Sequence, residues 1–289
     1  MSETVYLNGD FLPLEQARVP VLDRGFILGD GVYELLPAYS RVPFRLDEHL
    51  ARLNNSLIAV GISNPFSTAQ WTELLNEIVR RNPWDDQSVY MQITRGVARR
   101  DQAFPQPPVP PTVFVMADAM RLPSVAQRRA GVTVMTREDY RWARCDIKAT
   151  SLIANCMLRQ EAVENDCAEV VLLRQGMVTE GSSSNVLQVK DGVIIAPPKD
   201  NLILPGVTYD LALELARLND LPFEVRPVSV AELYAADEIW LSSSLREVIA
   251  VTTVDGMPVN EGRPGPVYQR MYELYQSYKA QVVAYADHG

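Results

Sequence analysis

Three dipeptides ending in glycine, Asn8-Gly9, Gln175-Gly176 and Asp191-Gly192, each sit between two short apolar runs. Such a pair tolerates the positive φ angles of a two-residue turn, so each predicts a hairpin of two antiparallel strands. The runs are residues 5–7 with 11–12, 169–174 with 177–179, and 186–189 with 193–196. Further strands are expected at 89–94, 112–116, 132–136, 223–226, 238–242 and 248–254. Helices fall between them. Residues 47–60 carry Leu50, Leu53, Leu57 and Val60 along one side. Ser67 and Gln70 form a capping box opening a helix whose buried stripe is Trp71, Leu74, Leu75, Ile78 and Val79. Three more helices are expected at 151–165, carrying Leu152, Cys156 and Val163, at 208–218, and at roughly 266–284. Strands and helices alternate without βαβ regularity or internal repeat, which defines an α+β class.

A chain of 289 residues exceeds a typical single domain, so two lobes are expected. The linker is placed at 119–124, between a smaller N-terminal α+β domain (1–118) and a larger, β-rich C-terminal domain (125–289). The five prolines between Ala103 and Pro111 make that loop stiff and extended. A net charge of −9 argues against a nucleic-acid partner. Residues 1–10 lack a basic start and an apolar run, and no stretch is long and apolar enough for a membrane. With three cysteines, Cys145, Cys156 and Cys167, read as core packing, the expectation is a reduced, cytoplasmic protein.

Two scarcities narrow the chemistry. His49 and His288 are the sole histidines, which excludes a histidine-rich metal site and leaves a serine relay resting on His49. Lysine occurs only at Lys148, Lys190, Lys199 and Lys279. Lys190 lies in a Lys-Asp-Gly turn, Lys199 in a Pro-Pro-Lys-Asp loop, and Lys279 on the polar side of the last helix. Lys148, between Ile147 and an expected helix start, can be partly desolvated, which would make its amine nucleophilic toward aldehydes. A snorkelling surface lysine is the alternative. Glu180 ends a strand before the small turn Gly181-Ser-Ser-Ser184, where a carboxylate could keep a pyridine ring protonated while the turn offers hydroxyl and backbone donors. Ile203-Leu-Pro-Gly-Val-Thr208 opens a helix, where Gly206 permits close approach and free N–H groups suit a phosphate. Thr208 also reads as a plain N-cap. Leu241-Ser-Ser-Ser244 ends a strand with hydroxyls expected to be exposed.

Together, Asp146-Ile-Lys148, Val178-Thr-Glu180-Gly-Ser-Ser-Ser-Asn185, Ile203-Leu-Pro-Gly-Val-Thr208 and Ala236-Asp-Glu-Ile-Trp-Leu-Ser-Ser243 resemble the motifs of the fold-type IV pyridoxal-phosphate enzymes, in order and spacing. Asp23-Arg-Gly25, Gly29-Asp-Gly-Val-Tyr-Glu34 and Asp47-Glu-His-Leu-Ala-Arg52-Leu resemble that family's opening motifs. The resemblance implies a two-lobe homodimer with pyridoxal 5′-phosphate in the cleft between lobes, held as a Schiff base on Lys148. It further implies that Lys148 moves the substrate proton and that Glu180 pairs with the ring nitrogen. Arg52, Val207, Thr208 and Ser243 or Ser244 would hold the phosphate, helped by Ser182 and Ser183, with His49 bracing the site.

Within the family, the segments around Tyr33, Gln92–Gly96 and Arg141–Lys148 are most similar to D-amino-acid aminotransferases. Those enzymes move amino groups between a D-alanine-like donor and a 2-oxo acid such as 2-oxoglutarate, in a ping-pong course. Tyr33 and, from a partner-subunit loop, Arg100 would bind the substrate carboxylate. Gln102 stands where the family places a histidine, and it brings a hydrogen bond but no charge. A branched-chain L-amino-acid aminotransferase, an aminodeoxychorismate lyase releasing pyruvate, and a non-catalytic relative remain alternatives.

Overall fold

In the computed structural model residues 3–286 are described, and His288 lies outside the described residues. The chain forms two compact units. One comprises the residues up to Arg121, the segment Ile147–Ser151 and the residues from Val282. The other comprises Leu122–Asp146 and Leu152–Gln281.

The first unit contains β1 (Thr4–Leu7), β2 (Asp10–Pro13), α1 (Arg24–Leu28), β3 (Gly31–Tyr39), β4 (Val42–Pro43), α2 (Leu46–Val60), α3 (Thr68–Arg81), β5 (Gln87–Thr94) and β6 (Thr112–Ala119). Its strands pair antiparallel in the order β2-β1-β6-β5-β3-β4. Strand alternation places Val32, Leu36 and Ala38, Val89, Met91 and Ile93, and Val113 and Val115 in one core, covered by Leu50, Leu53 and Leu57 of α2 and Trp71, Leu75 and Ile78 of α3. Glu34 shares the parity of Val32 and Leu36, so a carboxylate enters that buried face, 0% exposed. Tyr33 takes the opposite parity. The Ser67–Gln70 capping box forms, and Asn8 and Gly9 adopt φ of 51° and 115° at the first hairpin tip.

The second unit contains α4 (Val125–Ala130), β7 (Val132–Glu138), α5 (Ile153–Glu164), β8 (Glu169–Arg174), β9 (Met177–Gly181), β10 (Asn185–Lys190), β11 (Val193–Ala196), α6 (Val207–Leu218), β12 (Phe223–Val225), α7 (Val230–Tyr234), β13 (Glu238–Ser243), β14 (Glu247–Val254) and β15 (Met257–Pro258); α8 follows over Pro266–Ala286. The sheet runs β12-β11-β10-β13-β14-β7-β8-β9, with β15 beside β14. β7 lies parallel to β14 and β8, and β12 parallel to β11; the other pairs are antiparallel. Val134, Val171, Val186, Ile239 and Leu241 fill one core. Met135, Val170 and Leu172 pack with Leu158 and Ala162 of α5 in another.

Several local expectations differ from the structure. α1, β3, α4 and α7 have no counterpart among the expected elements. β6 continues to Ala119, into the expected linker. The units are not contiguous in sequence: Ile147–Ser151 joins the first because Tyr33 N–H donates to the Lys148 carbonyl at 2.9 Å and Thr150 N–H to that of Gly31 at 3.0 Å. Lys148 therefore lies beside the isolated pairing of Ala149 with Val32, and the next helix begins only at Ile153. α5 buries Leu158 and Ala162, while Cys156 and Val163 are exposed. Of the three free cysteines only Cys145 is buried, so core packing describes that one alone. The N-cap of α6 is Gly206, and Thr208 sits within the first turn.

Candidate active site

The expected site residues fall into two groups, one in each unit. In the first, the Lys148 amine lies 4.2 Å from the centre of the Tyr33 ring. Tyr33 stacks on Tyr90, with ring centres 5.6 Å apart, and Tyr90 donates to Gln92. Lys190, Lys199 and Lys279 are each neutralised by a carboxylate, Asp237, Asp210 and Glu247 respectively, at 2.9, 2.6 and 2.7 Å. Lys148 makes no such pair among the described residues. It is half-buried, with its amine against the Tyr33 ring face.

On the opposite parity of β3, Glu34 takes two bonds from Arg52, Nε to Oε2 at 2.9 Å and Nη2 to Oε1 at 2.6 Å. His49 Nδ1 lies 3.1 Å from Oε1. Burial pushes Glu34 up, but Arg52 and His49 outweigh it and hold the carboxyl well below its usual range. Burial likewise holds His49 below its ordinary value, so at neutral pH the ring is uncharged and Nδ1 carries the proton donated to Glu34. Arg52 and His49 are thus buried together, and Glu34 joins them.

In the second unit, Glu180 is buried and accepts from Arg141 Nη1 at 2.5 Å, Asn185 Nδ2 at 3.2 Å and the Leu204 N–H at 2.9 Å. Burial pushes its carboxyl up to about 7 against the opposing charge of Arg141. Asp139 fixes Arg141 through two bonds of 3.0 Å, and Thr179 donates to the same aspartate. Gly206 meets Asn185 so closely that a Cβ would stand 2.0 Å from its Oδ1. No side chain caps α6, and Val207 and Thr208 are buried at its start with first-turn N–H groups that lack helical partners.

The serine turn differs from expectation. The hydroxyls of Ser182, Ser183 and Ser184 all donate to Glu169, the last two at 2.7 and 3.1 Å, and the Ser182 N–H adds a bond of 3.1 Å. All three hydroxyls thus lie against one buried carboxylate. The strand-end serines differ as well. Ser242 is 1% exposed and its Oγ has no hydrogen-bond partner among the described residues, Ser243 Oγ accepts from the Arg246 N–H at 3.3 Å, and Ser243 and Ser244 are half-buried. Arg100 and Gln102 are exposed on the loop after β5. A cavity of about 350 Å³ lined by Asp23, Gly25, Phe26, Thr94 and Thr112 includes none of the expected site residues.

Glu34, Asp139, Arg141 and Glu169 carry much of this arrangement and received no role from the sequence. The available signal was a charged residue at an apolar strand position: Glu34 between Val32 and Leu36, and Glu169 opening the run Val170-Val171-Leu172.

Taken unit by unit, the Lys148 amine of the first has the chemistry to take an aldehyde, and in the second the buried Glu180 carboxylate and the α6 start without a side-chain cap have that to meet a protonated ring nitrogen and a phosphate. The chain belongs to the class IV aminotransferases: the family described as Amino-transferase class IV matches residues 31–254. It is 39% identical to a D-alanine aminotransferase of Bacillus licheniformis over 273 residues, 94% of this chain and 96% of that protein. It is 35% identical to one of Staphylococcus epidermidis over 274 residues, covering 95% and 97%. Among solved structures it is similar to the branched-chain amino acid aminotransferase of Escherichia coli, with a TM-score of 0.87 and 26% identity over 94% of this chain and 92% of that one. No helix among the described residues is long and apolar enough to cross a membrane.

Proposed function

We propose that this aminotransferase uses pyridoxal 5′-phosphate bound through Lys148 to move amino groups between a D-alanine-like donor and a 2-oxo acid such as 2-oxoglutarate. The observation carrying the reading is that, among the described residues, Lys148 pairs with no carboxylate while the other three lysines each do, in a chain that matches D-alanine aminotransferases along nearly its whole length. The bound cofactor supplies an electron sink for the bond breaking at the substrate Cα. Lys148 Nζ would take the proton from that carbon and deliver it to the cofactor's aldehyde carbon. Glu180, oriented by Arg141, Asn185 and the Leu204 N–H, would face the ring nitrogen and keep its proton in place. Arg52, the Val207 and Thr208 N–H groups, Ser243 and Ser244 hold the phosphate. The Ser182–Ser183 turn helps to hold it. His49 and Glu34 brace Arg52.

Tyr33, Arg100 and Gln102 bind the substrate carboxylate, the latter two in the site of a partner subunit of a homodimer. The donor leaves as its oxo acid before the acceptor enters, giving two half-reactions. Three free thiols suit a reducing, cytoplasmic setting.

The similarity to a branched-chain amino acid aminotransferase at a TM-score of 0.87 supports a second reading, with L-leucine or L-isoleucine as donor. A panel of both enantiomers with 2-oxoglutarate separates the two, and aminodeoxychorismate tests the lyase chemistry. Turnover with D-alanine exceeding that with L-leucine supports the proposal; the reverse order overturns it.

A further inference from the structure

Residues 101–104 are tied to the start of β3 by two arginines that share one carboxylate. Arg24, 2% exposed in α1, donates Nε to Asp30 Oδ2 at 2.7 Å. Its Nη1 donates to the carbonyls of Asp101 and Ala103 at 2.6 and 3.2 Å, and its Nη2 to that of Gln102 at 3.4 Å. Arg95, just beyond β5, donates to both Asp30 oxygens at 2.7 and 3.0 Å and to the carbonyls of Gly61 and Val60 at 2.9 and 2.7 Å. Its guanidinium carbon lies 3.6 Å from the centre of the Phe104 ring. Asp101 closes the turn by accepting from the Ala103 N–H at 3.0 Å. Burial pushes Asp30 up, yet the two arginines hold its carboxyl below the ordinary value, so the clamp is charged at neutral pH. Asp30 precedes Gly31, whose carbonyl accepts from Thr150, two residues after Lys148.

We infer that Arg24 is a positioning residue for substrate recognition, setting the backbone of residues 101–103 and through it the placement of Arg100 and Gln102. This rests on the proposed carboxylate-binding role of those two side chains. Three successive carbonyls on one guanidinium fix a peptide track that the planar fork suits and a lysine cannot copy. Placement matters here because Gln102 offers a directional hydrogen bond without charge, and a misplacement of about 1 Å can cost on the order of 100-fold.

The test is a KM-against-kcat comparison on the holoenzyme with D-alanine and 2-oxoglutarate. Arg24→Lys is expected to raise KM about tenfold while kcat changes far less, the pattern of lost ground-state binding. Phe104→Ala loosens the clamp from the Arg95 side at a half-exposed residue, so it serves where Arg24→Lys does not fold, and it raises KM by a smaller factor. Added to Arg100→Ala/Gln102→Ala, Arg24→Lys should raise KM no further, since it acts through them. An unchanged KM in both Arg24→Lys and Phe104→Ala, or an equal increment on the Arg100→Ala/Gln102→Ala background, overturns the role of Arg24 alone. An unchanged KM in Arg100→Ala/Gln102→Ala removes the loop from substrate binding and overturns the underlying reading with it.

Discussion

Glu34 and Arg52 meet in a two-bond fork between β3 and α2, with the carboxylate fully removed from solvent and the guanidinium side chain 8% exposed. A charge buried in this way is tolerable only while its partner is present. Glu34→Ala removes the carboxylate that takes two bonds from the buried Arg52 and should cost roughly 3–5 kcal/mol in denaturant unfolding. The pH dependence has a definite sign. Because the folded-state pKa of Glu34 is depressed, its contribution is fully present above the unfolded carboxylate value of about 4 and is lost as pH falls below it. Acid titration of the wild type and Glu34→Ala should therefore converge at low pH; parallel curves would remove Glu34 from the acid transition.

Arg141 opposes the burial that lifts Glu180 to about 7. Arg141→Met should raise Glu180 further and move the acid limb of the kcat/KM profile upward by about 1–3 pH units. An unmoved limb would show that Glu180 does not control the reaction. In the apoprotein the same raised value gives stability that is present below the unfolded carboxylate range and lost as pH rises through about 7, a trend that Glu180→Gln should abolish.

Gly206 admits the Asn185 side chain, which in turn donates to Glu180 and to the Leu204 carbonyl. Gly206→Ala displaces a buried amide and disturbs both the carboxylate and the start of α6. Cofactor affinity of the apoprotein, followed by absorbance titration, should weaken at least about tenfold, or 1.4 kcal/mol. Unchanged affinity would separate this helix start from the phosphate.

The hairpins, α2 and α3 were legible because their determinants are local: turn dipeptides, a capping box, and apolar residues at one spacing. β3 was not, because its buried face reads Val32, Glu34, Leu36, and the partners that make Glu34 acceptable there lie on a later helix. α5 misled for a different reason. It carries apolar residues on both sides, and the exposed Ile153, Cys156, Met157 and Val163 outnumber the buried Leu158 and Ala162. The Lys148 segment was singled out by scarcity, but its pairing with the start of β3 joins residues more than a hundred positions apart, which no local pattern encodes. The serine turn showed the right residues with the hydroxyl protons directed elsewhere, since Glu169 lies outside the motif.

The central claim is that Lys148 carries the cofactor. The holoenzyme reduced with borohydride, digested and mapped by mass spectrometry tests it directly, since the four lysines fall in distinguishable sequence contexts. A pyridoxyl label on the peptide containing Lys148, lost in Lys148→Ala together with nearly all transamination, is the predicted result. A label on Lys190, Lys199 or Lys279, or none at all, would contradict it.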